Sequence, residues 1–282
     1  MKTIMMVLAT ALALAAGTAA AEKATVSAVQ YPAWLERGGN SVPLTPGTRL
    51  EGNDKLRTGT NARVQLRLGE GSTVRLGENA QFVIESVEDR GIFRAALSVL
   101  TGAFRFTTDA LRKSQGRDIQ IKVKNVTAGI RGTDLWGKST GERDLVCLLE
   151  GKISVGAEGH PTVTLDQPLD FYQKPRDGEP AVAKVDEKQV AIWAQETEIS
   201  KDGPAARGDG KWSVTAGKFQ TRDEALRMNR VLRASGYPAV VGKSGEYPAV
   251  IVRGLAGEAE ARALMANLRS IPGIVGPTIQ GP

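Results

Sequence analysis

The chain has 282 residues, 37 basic against 31 acidic side chains, a formal charge of +6, one cysteine and one histidine. A lone Cys147 excludes an intramolecular disulfide, and Cys147 with His160 is too little for a His/Cys metal site or a Cys–His dyad, so no cofactor is expected. The mild positive charge suits an exported polymer bearing carboxylates or phosphates, and without an aromatic-plus-basic motif nucleic acid is not expected as a partner.

The first residues read as an export signal. Lys2 gives a positive start, Ile4 to Ala16 is an unbroken run of apolar and small residues, and Ala19-Ala20-Ala21 supplies the small cleavage-site residues before Glu22. The run falls short of the roughly 20 apolar residues that a spanning helix needs. Residues 1–21 are therefore expected to be cleaved, leaving a chain with no membrane span in the periplasm or elsewhere in the cell envelope. What remains suits two domains better than one.

From about Val42 to Val155 the apolar residues recur with period two. Arg63-Val-Gln-Leu-Arg-Leu68 alternates without a break, Ser72–Leu76 follows the turn Gly69-Glu-Gly71, and Gln81–Glu85 follows Gly77-Glu-Asn79. Ala103–Phe106 and Ile119–Lys124 continue the rule, and such short strands between turns signal an all-β sandwich, barrel or solenoid. In Ile119–Lys124 the lysines 122 and 124, with Lys113 and Arg117, form a candidate cationic stripe. Cys147 lies in the apolar run Leu145–Leu149 and reads as a small core residue.

These residues resemble the FecR domain. The resemblance rests on Gly52-Asn-Asp-Lys-Leu-Arg-Thr-Gly59, the alternating strand after it, Glu70-Gly-Ser72, Gly129-Ile-Arg-Gly-Thr133 and Glu150-Gly-Lys-Ile-Ser-Val155. It covers residues 42–156, with Asn53 splitting the family's adjacent Gly and Asp. Arg131 stands before Gly-Thr at a corner, where its guanidinium fork suits buried carbonyls better than a ligand. FecR-type regulators are implied to act as transmembrane partners of a sigma factor through a cytoplasmic segment. A signal peptide stands in that place here, so direct sigma-factor control is not expected.

Residues 157–200 are expected to hold one more strand, Thr162–Leu165, and a short helix, Asp186–Thr197, with Val190, Trp193, Ala194 and Thr197 on the side that covers an open end of the β-domain. Residues 200–210, rich in Gly, Pro and polar side chains, read as a linker.

The last segment repeats itself at an offset of 36 residues, an interval visible in the sequence as Val214 on Val250, Ala225 on Ala261, Met228 on Leu264 and Leu232 on Leu268. Each half reads strand, helix, strand: Trp212–Ala216, Arg222–Ser235 and Pro238–Val241, then Ala249–Val252, Glu258–Ser270 and Ile274–Ile279. Thr221 and Glu224 make a capping box, and Ala225, Met228, Val231 and Leu232 are the expected apolar face. The pattern predicts a four-stranded antiparallel sheet with both helices on one face. The overall class is thus two-domain: an all-β N-terminal domain, a short-strand sandwich or β-solenoid-like, plus a small α+β domain of ferredoxin-like βαββαβ order.

Trp212-Ser-Val-Thr-Ala-Gly-Lys-Phe219 resembles the opening of the SPOR domain, and the repeat carries the likeness over residues 211–280. SPOR domains are implied to bind peptidoglycan glycan strands, preferring those stripped of stem peptides, through the open sheet face. Ser213, Thr215, Lys218, Ile251 and Arg253 are the candidate glycan-binding residues, with Thr215 and Lys218 departing from the family's Gln and Ser. The expected partners are peptidoglycan glycan strands and an envelope protein contacted through residues 42–156. No catalysis is expected, because Asp54, Glu70, Glu150 and Asp170 are scattered rather than paired across one cleft. The alternative is an envelope-stress or signalling regulator whose FecR-like domain contacts a protein, with the C-terminal module as its anchor.

Overall fold

The computed structural model describes residues 23–108, 116–130 and 132–282. The signal-peptide reading of residues 1–21, Lys113 and the corner role of Arg131 fall outside these residues.

The described chain is mostly β. Two strands precede the expected start at Val42, β1 (Ala24–Gln30) and β2 (Ala33–Arg37), and β3 (Asn40–Pro43) spans it. Then follow β4 (Asp54–Thr58), β5 (Arg63–Leu68), β6 (Thr73–Leu76), β7 (Gln81–Arg90) and the long β8 (Ile92–Thr107). Next come β9 (Arg117–Val123), β10 (Val126–Ile130), β11 (Asp134–Ser139), β12 (Arg143–Glu150) and β13 (Ile153–Ala157). Three short strands, β14 (Val163–Leu165), β15 (Asp170–Pro175) and β16 (Ala181–Lys184), complete this part.

These strands build two sheets that share β8. One runs β3-β2-β4-β7-β8-β9-β10-β13-β14, antiparallel except for the parallel β8–β9 pair. The other runs β1-β5-β6-β8-β11-β12-β15-β16. β8 changes sheet at Gly102, whose φ is +88° and where an added Cβ would lie 2.5 Å from Ala80 Cα. Only glycine meets both demands at this corner. Period-two alternation makes each strand one-sided, so Phe82, Ile84, Ile119 and Ile121 of one sheet join Leu66, Phe104, Val146 and Leu148 of the other in a single core. Each such side chain contributes about 1.5–3 kcal/mol through burial.

Helix α1 (Glu187–Gln195) is capped by Asp186, whose side chain accepts from the Lys188 amide. It does not cover an open end of the β-part, as its position in the chain suggested. It lies on the outer face of the second sheet, with Trp193 stacked on Trp136 of β11.

The rest comprises β17 (Ala205–Arg207), β18 (Trp212–Lys218), α2 (Arg222–Ala234), β19 (Ala239–Ser244), β20 (Tyr247–Leu255), α3 (Glu258–Leu268) and β21 (Thr278–Gln280). The strands order β21-β18-β20-β19, all antiparallel. The matched positions of the internal repeat are the buried ones: Val214 and Val250, Ala225 and Ala261, Met228 and Leu264, Leu232 and Leu268. Thr221 and Glu224 close the capping box of α2. Two expectations need correction. Val231 is 45 % exposed, because it lies a third of a turn off the stripe formed by 225, 228 and 232. Val275 is 84 % exposed, and the last strand begins only at Thr278, after the positive-φ residues Gly273 and Gly276.

The segment expected as a linker contains β17, which pairs with β1 on one side (Ala206 opposite Val29) and meets β20 on the other (Ala206 opposite Leu255). Ala205 and Ala206 are 1 % and 0 % exposed, so two small side chains fit where the two parts meet. A second contact lies nearby. The Trp34 indole N–H donates to the Ala234 carbonyl at 3.0 Å, and Arg57 stacks over the Trp34 ring at 4.0 Å. Gly236, at φ +83°, passes so close that an added Cβ would be 2.8 Å from that ring.

Candidate functional site

Helices α2 and α3 pack on one face of the C-terminal sheet. Val214, Ala216, Val250 and Val252 share the core with Ala225, Leu232, Ala261 and Leu264. The register assigns the other face. Ser213 pairs with Arg253, Thr215 with Ile251 and Lys218 with Ala249, while Val240 of β19 lies beside Ile251. Strict alternation would turn Lys218 toward the helices, three residues after Thr215. A β-bulge between Thr215 and Gly217 absorbs one residue and returns Lys218 to the Thr215 face.

All five sequence-identified residues therefore share this face, but they are not equally accessible. Lys218 and Arg253 are exposed and Ser213 is partly exposed, whereas Thr215 and Ile251 are 1 % and 3 % exposed. A Cβ placed on Gly242 would be 3.2 Å from Ile251 Cδ1 and 3.7 Å from Arg253 Nη2, so these two side chains lie over that glycine. Thr215 Oγ1 is buried with no hydrogen-bond partner. An unsatisfied buried hydroxyl costs about 1–3 kcal/mol, and a ligand hydroxyl reaching it would recover that loss. Neither Lys218 nor Arg253 has an acidic partner among the described residues. The face thus offers two free cations around an aliphatic and hydroxyl centre.

Three further residues join this face. Val240 is 43 % exposed, and Thr278 and Gln280, paired with Thr215 and Ser213, are exposed. Sequence reasoning passed over Thr278 and Gln280 because the last strand was expected to begin four residues earlier, which blurs its parity.

Three of the four scattered carboxylates have local partners. Asp54 accepts from Arg37 at 2.7 and 2.6 Å and from the Glu51 amide, fixing the turn before β4. Glu70 accepts from the Ser72 amide, Asp170 faces Lys184 at 3.8 Å, and Glu150 is exposed at the end of β12. Cys147 is fully buried in β12, where burial, with Asp170 adding to it, pushes its thiol up to about 12. His160 lies 3.4 Å from Glu179 at the surface. Among the described residues no three His, Cys, Asp or Glu side chains converge as metal ligands, and no helix is long and apolar enough to cross a membrane.

The molecule is thus a β-rich module joined to a small α+β module with one sheet face free of helices. Family models match both parts: the one described as FecR protein over residues 54–154 and the one described as SPOR domain over residues 208–277. The chain carries a FecR domain followed by a C-terminal SPOR domain. No curated protein matches it. Among solved structures, two crystal structures from Parabacteroides distasonis ATCC 8503, of a protein provisionally named an anti-sigma factor, are similar at 15 % and 14 % identity. Both have a TM-score of 0.42, and the matches cover 76 % and 77 % of this chain and 91 % of each of those chains.

Proposed function

We propose that this is a non-catalytic envelope protein that docks on peptidoglycan glycan strands through the helix-free face of its C-terminal sheet, holding the FecR domain at the cell wall. The observation that carries the reading is the conjunction of the SPOR match with that face, where Lys218 and Arg253 are unpaired and Thr215 Oγ1 lacks a partner. The strand order β21-β18-β20-β19, with both helices on one side, supports a ferredoxin-like βαββαβ module. Its domain is residues 211–280, following the FecR-like residues 42–156, and its contacts are Ser213, Thr215, Lys218, Ile251 and Arg253. The two cations attract lactyl or stem carboxylates of the polymer, and the Ser213 and Thr215 hydroxyls suit sugar hydroxyls. Cleavage after Ala21 and a periplasmic location belong to the same reading.

The test is sedimentation of residues 22–282 with purified sacculi, with and without amidase removal of stem peptides. The protein is expected in the pellet with both preparations. Its recovery in the supernatant with both overturns the proposal. The FecR match supports a second role for the same molecule, contact with an envelope protein through the β-module.

A further inference from the structure

The outer face of the second β-sheet carries a groove that the docking role leaves unused. By register, Trp136 lies beside Cys147 and Cys147 beside Phe171, so all three share the face turned away from the main core. Helix α1 lies across this face, yet none of its residues is buried, and Ile192 is 57 % exposed. Its seat is mainly aromatic. Trp193 stacks on Trp136 with centroids 4.5 Å apart and planes 3° from parallel, and Phe171 meets Trp193 edge-on at 6.4 Å and 79°. Beside this stack opens a groove of about 840 Å³ between α1 and the β11–β12 hairpin. That volume lies within the roughly 300–1,000 Å³ range of small-molecule sites.

The polar groups around the groove are mostly unused. Trp136 is 1 % exposed, and its Nε1 has no acceptor. A buried indole N–H normally finds one. Gln173 of β15, Gln189 of α1 and Arg143 of β12 also line the groove, and their side chains have no hydrogen-bond or ion-pair partner among the described residues. Of the other charges in it, Lys138 pairs with Glu196 at 2.8 Å, Lys184 faces Asp170 at 3.8 Å and Asp186 caps the helix, while the Glu142 carboxylate has no partner among the described residues. What remains is an aromatic wall with free amide, indole, guanidinium and carboxylate groups beside it. An apolar partner would leave these polar groups unsatisfied, and a polyanion would find a single free cation. A ring compound with an apolar C–H face and many hydroxyl or acetamido groups satisfies both halves of the lining.

We propose that this groove is a second carbohydrate site, on the β-module and independent of the C-terminal sheet face, taking a short saccharide stacked on the aromatic wall. Trp193 and Phe171 supply the platform, Gln173 and Gln189 bond to hydroxyl or acetamido groups, and Arg143 accommodates one carboxylate where the sugar has one.

The test is ligand-observed saturation-transfer NMR and calorimetry on residues 22–282, with chitotriose as a neutral probe and the N-acetylglucosamine–N-acetylmuramic acid disaccharide as a carboxylated one. Both probes are expected to bind. Trp193→Ala and Gln173→Ala should each weaken binding about tenfold, the loss expected when one stacked ring or one set of hydrogen bonds is removed. Gln173→Ala keeps the test decisive if Trp193→Ala unseats α1. Both substitutions are also read in a Lys218→Ala/Arg253→Ala background, which removes the contribution of the C-terminal face; probe binding that is sensitive to Trp193→Ala and Gln173→Ala should persist there. Absence of binding of both probes to the unmodified protein, or binding abolished by Lys218→Ala/Arg253→Ala and indifferent to Gln173→Ala, overturns the proposal. Either result leaves the sacculus sedimentation assay of the C-terminal face standing on its own.

Discussion

Asp144, Gly102 and Cys147 show how single residues hold the β-module together. Asp144 is fully buried and receives a forked pair of hydrogen bonds from Arg176, at 2.5 and 2.8 Å, with the Asn125 amide as a further donor. Asp144→Ala strands the partly buried guanidinium, and denaturant unfolding should show a loss of about 3–5 kcal/mol. Gly102→Ala should lose about 1–3 kcal/mol by the same measurement, because the new Cβ meets Ala80 and the backbone stays at φ +88°. The Cys147 thiol is held neutral by burial, its pKa raised from 9.0 to about 12. In the unfolded chain it ionises near its ordinary value. Folding therefore keeps this contribution below about pH 9 and loses it as pH rises toward 12, where ionisation favours the unfolded chain. Cys147→Ser should flatten that alkaline decline in a pH series of melts, and a thiol reagent at pH 8 should label Cys147 only after denaturant is added. The character of Cys147 was legible from its apolar neighbours. Asp144 was not, because its partner Arg176 lies 32 residues away, and only the pairing of β12 with β15 brings the two together.

At the scale of elements, what the sequence announces is what is periodic. The alternation in β5 and β9, the capping box of α2 and the internal repeat all reappear as strand faces, a helix start and a duplicated core. What it conceals is set by neighbours far along the chain. β1 to β3 lie ahead of the recognised motif and are placed by pairing: β1 with β5, β2 with β4, and β3 with β2. β17 has only three residues and sits in a stretch whose glycines and prolines signal a loop, yet Ala205 and Ala206 slot between β1 and β20 because they are small. The bulge in β18 is likewise silent in composition, and it decides on which face Lys218 appears. Ala206→Lys tests the strap directly. A cation forced into a site with 0 % exposure has no partner there, so the contact between the modules should open. Calorimetry is expected to show one transition for the unmodified protein and two separated transitions for the variant. A single transition at the original temperature would mean that β17 does not couple the two parts.

Over the whole molecule, β17 and the Trp34–Gly236 contact join the two modules into a continuous β-structure instead of beads on a string. Under the docking proposed above, a SPOR module tied in this way would orient the FecR domain relative to the polymer, making polymer binding and display of the β-module one event. Such an orientation depends on the docking face being the helix-free side of the C-terminal sheet. The most direct measurement is therefore sacculus binding by residues 22–282 alongside the Lys218→Ala/Arg253→Ala variant, read as the fraction pelleted over a protein titration at fixed ionic strength. The account predicts that the variant stays folded, by an unchanged melting temperature, and binds at least about tenfold more weakly, as loss of two cation contacts implies. Equal binding by the folded variant and the unmodified protein would contradict it, and would assign the interaction to another surface of the molecule.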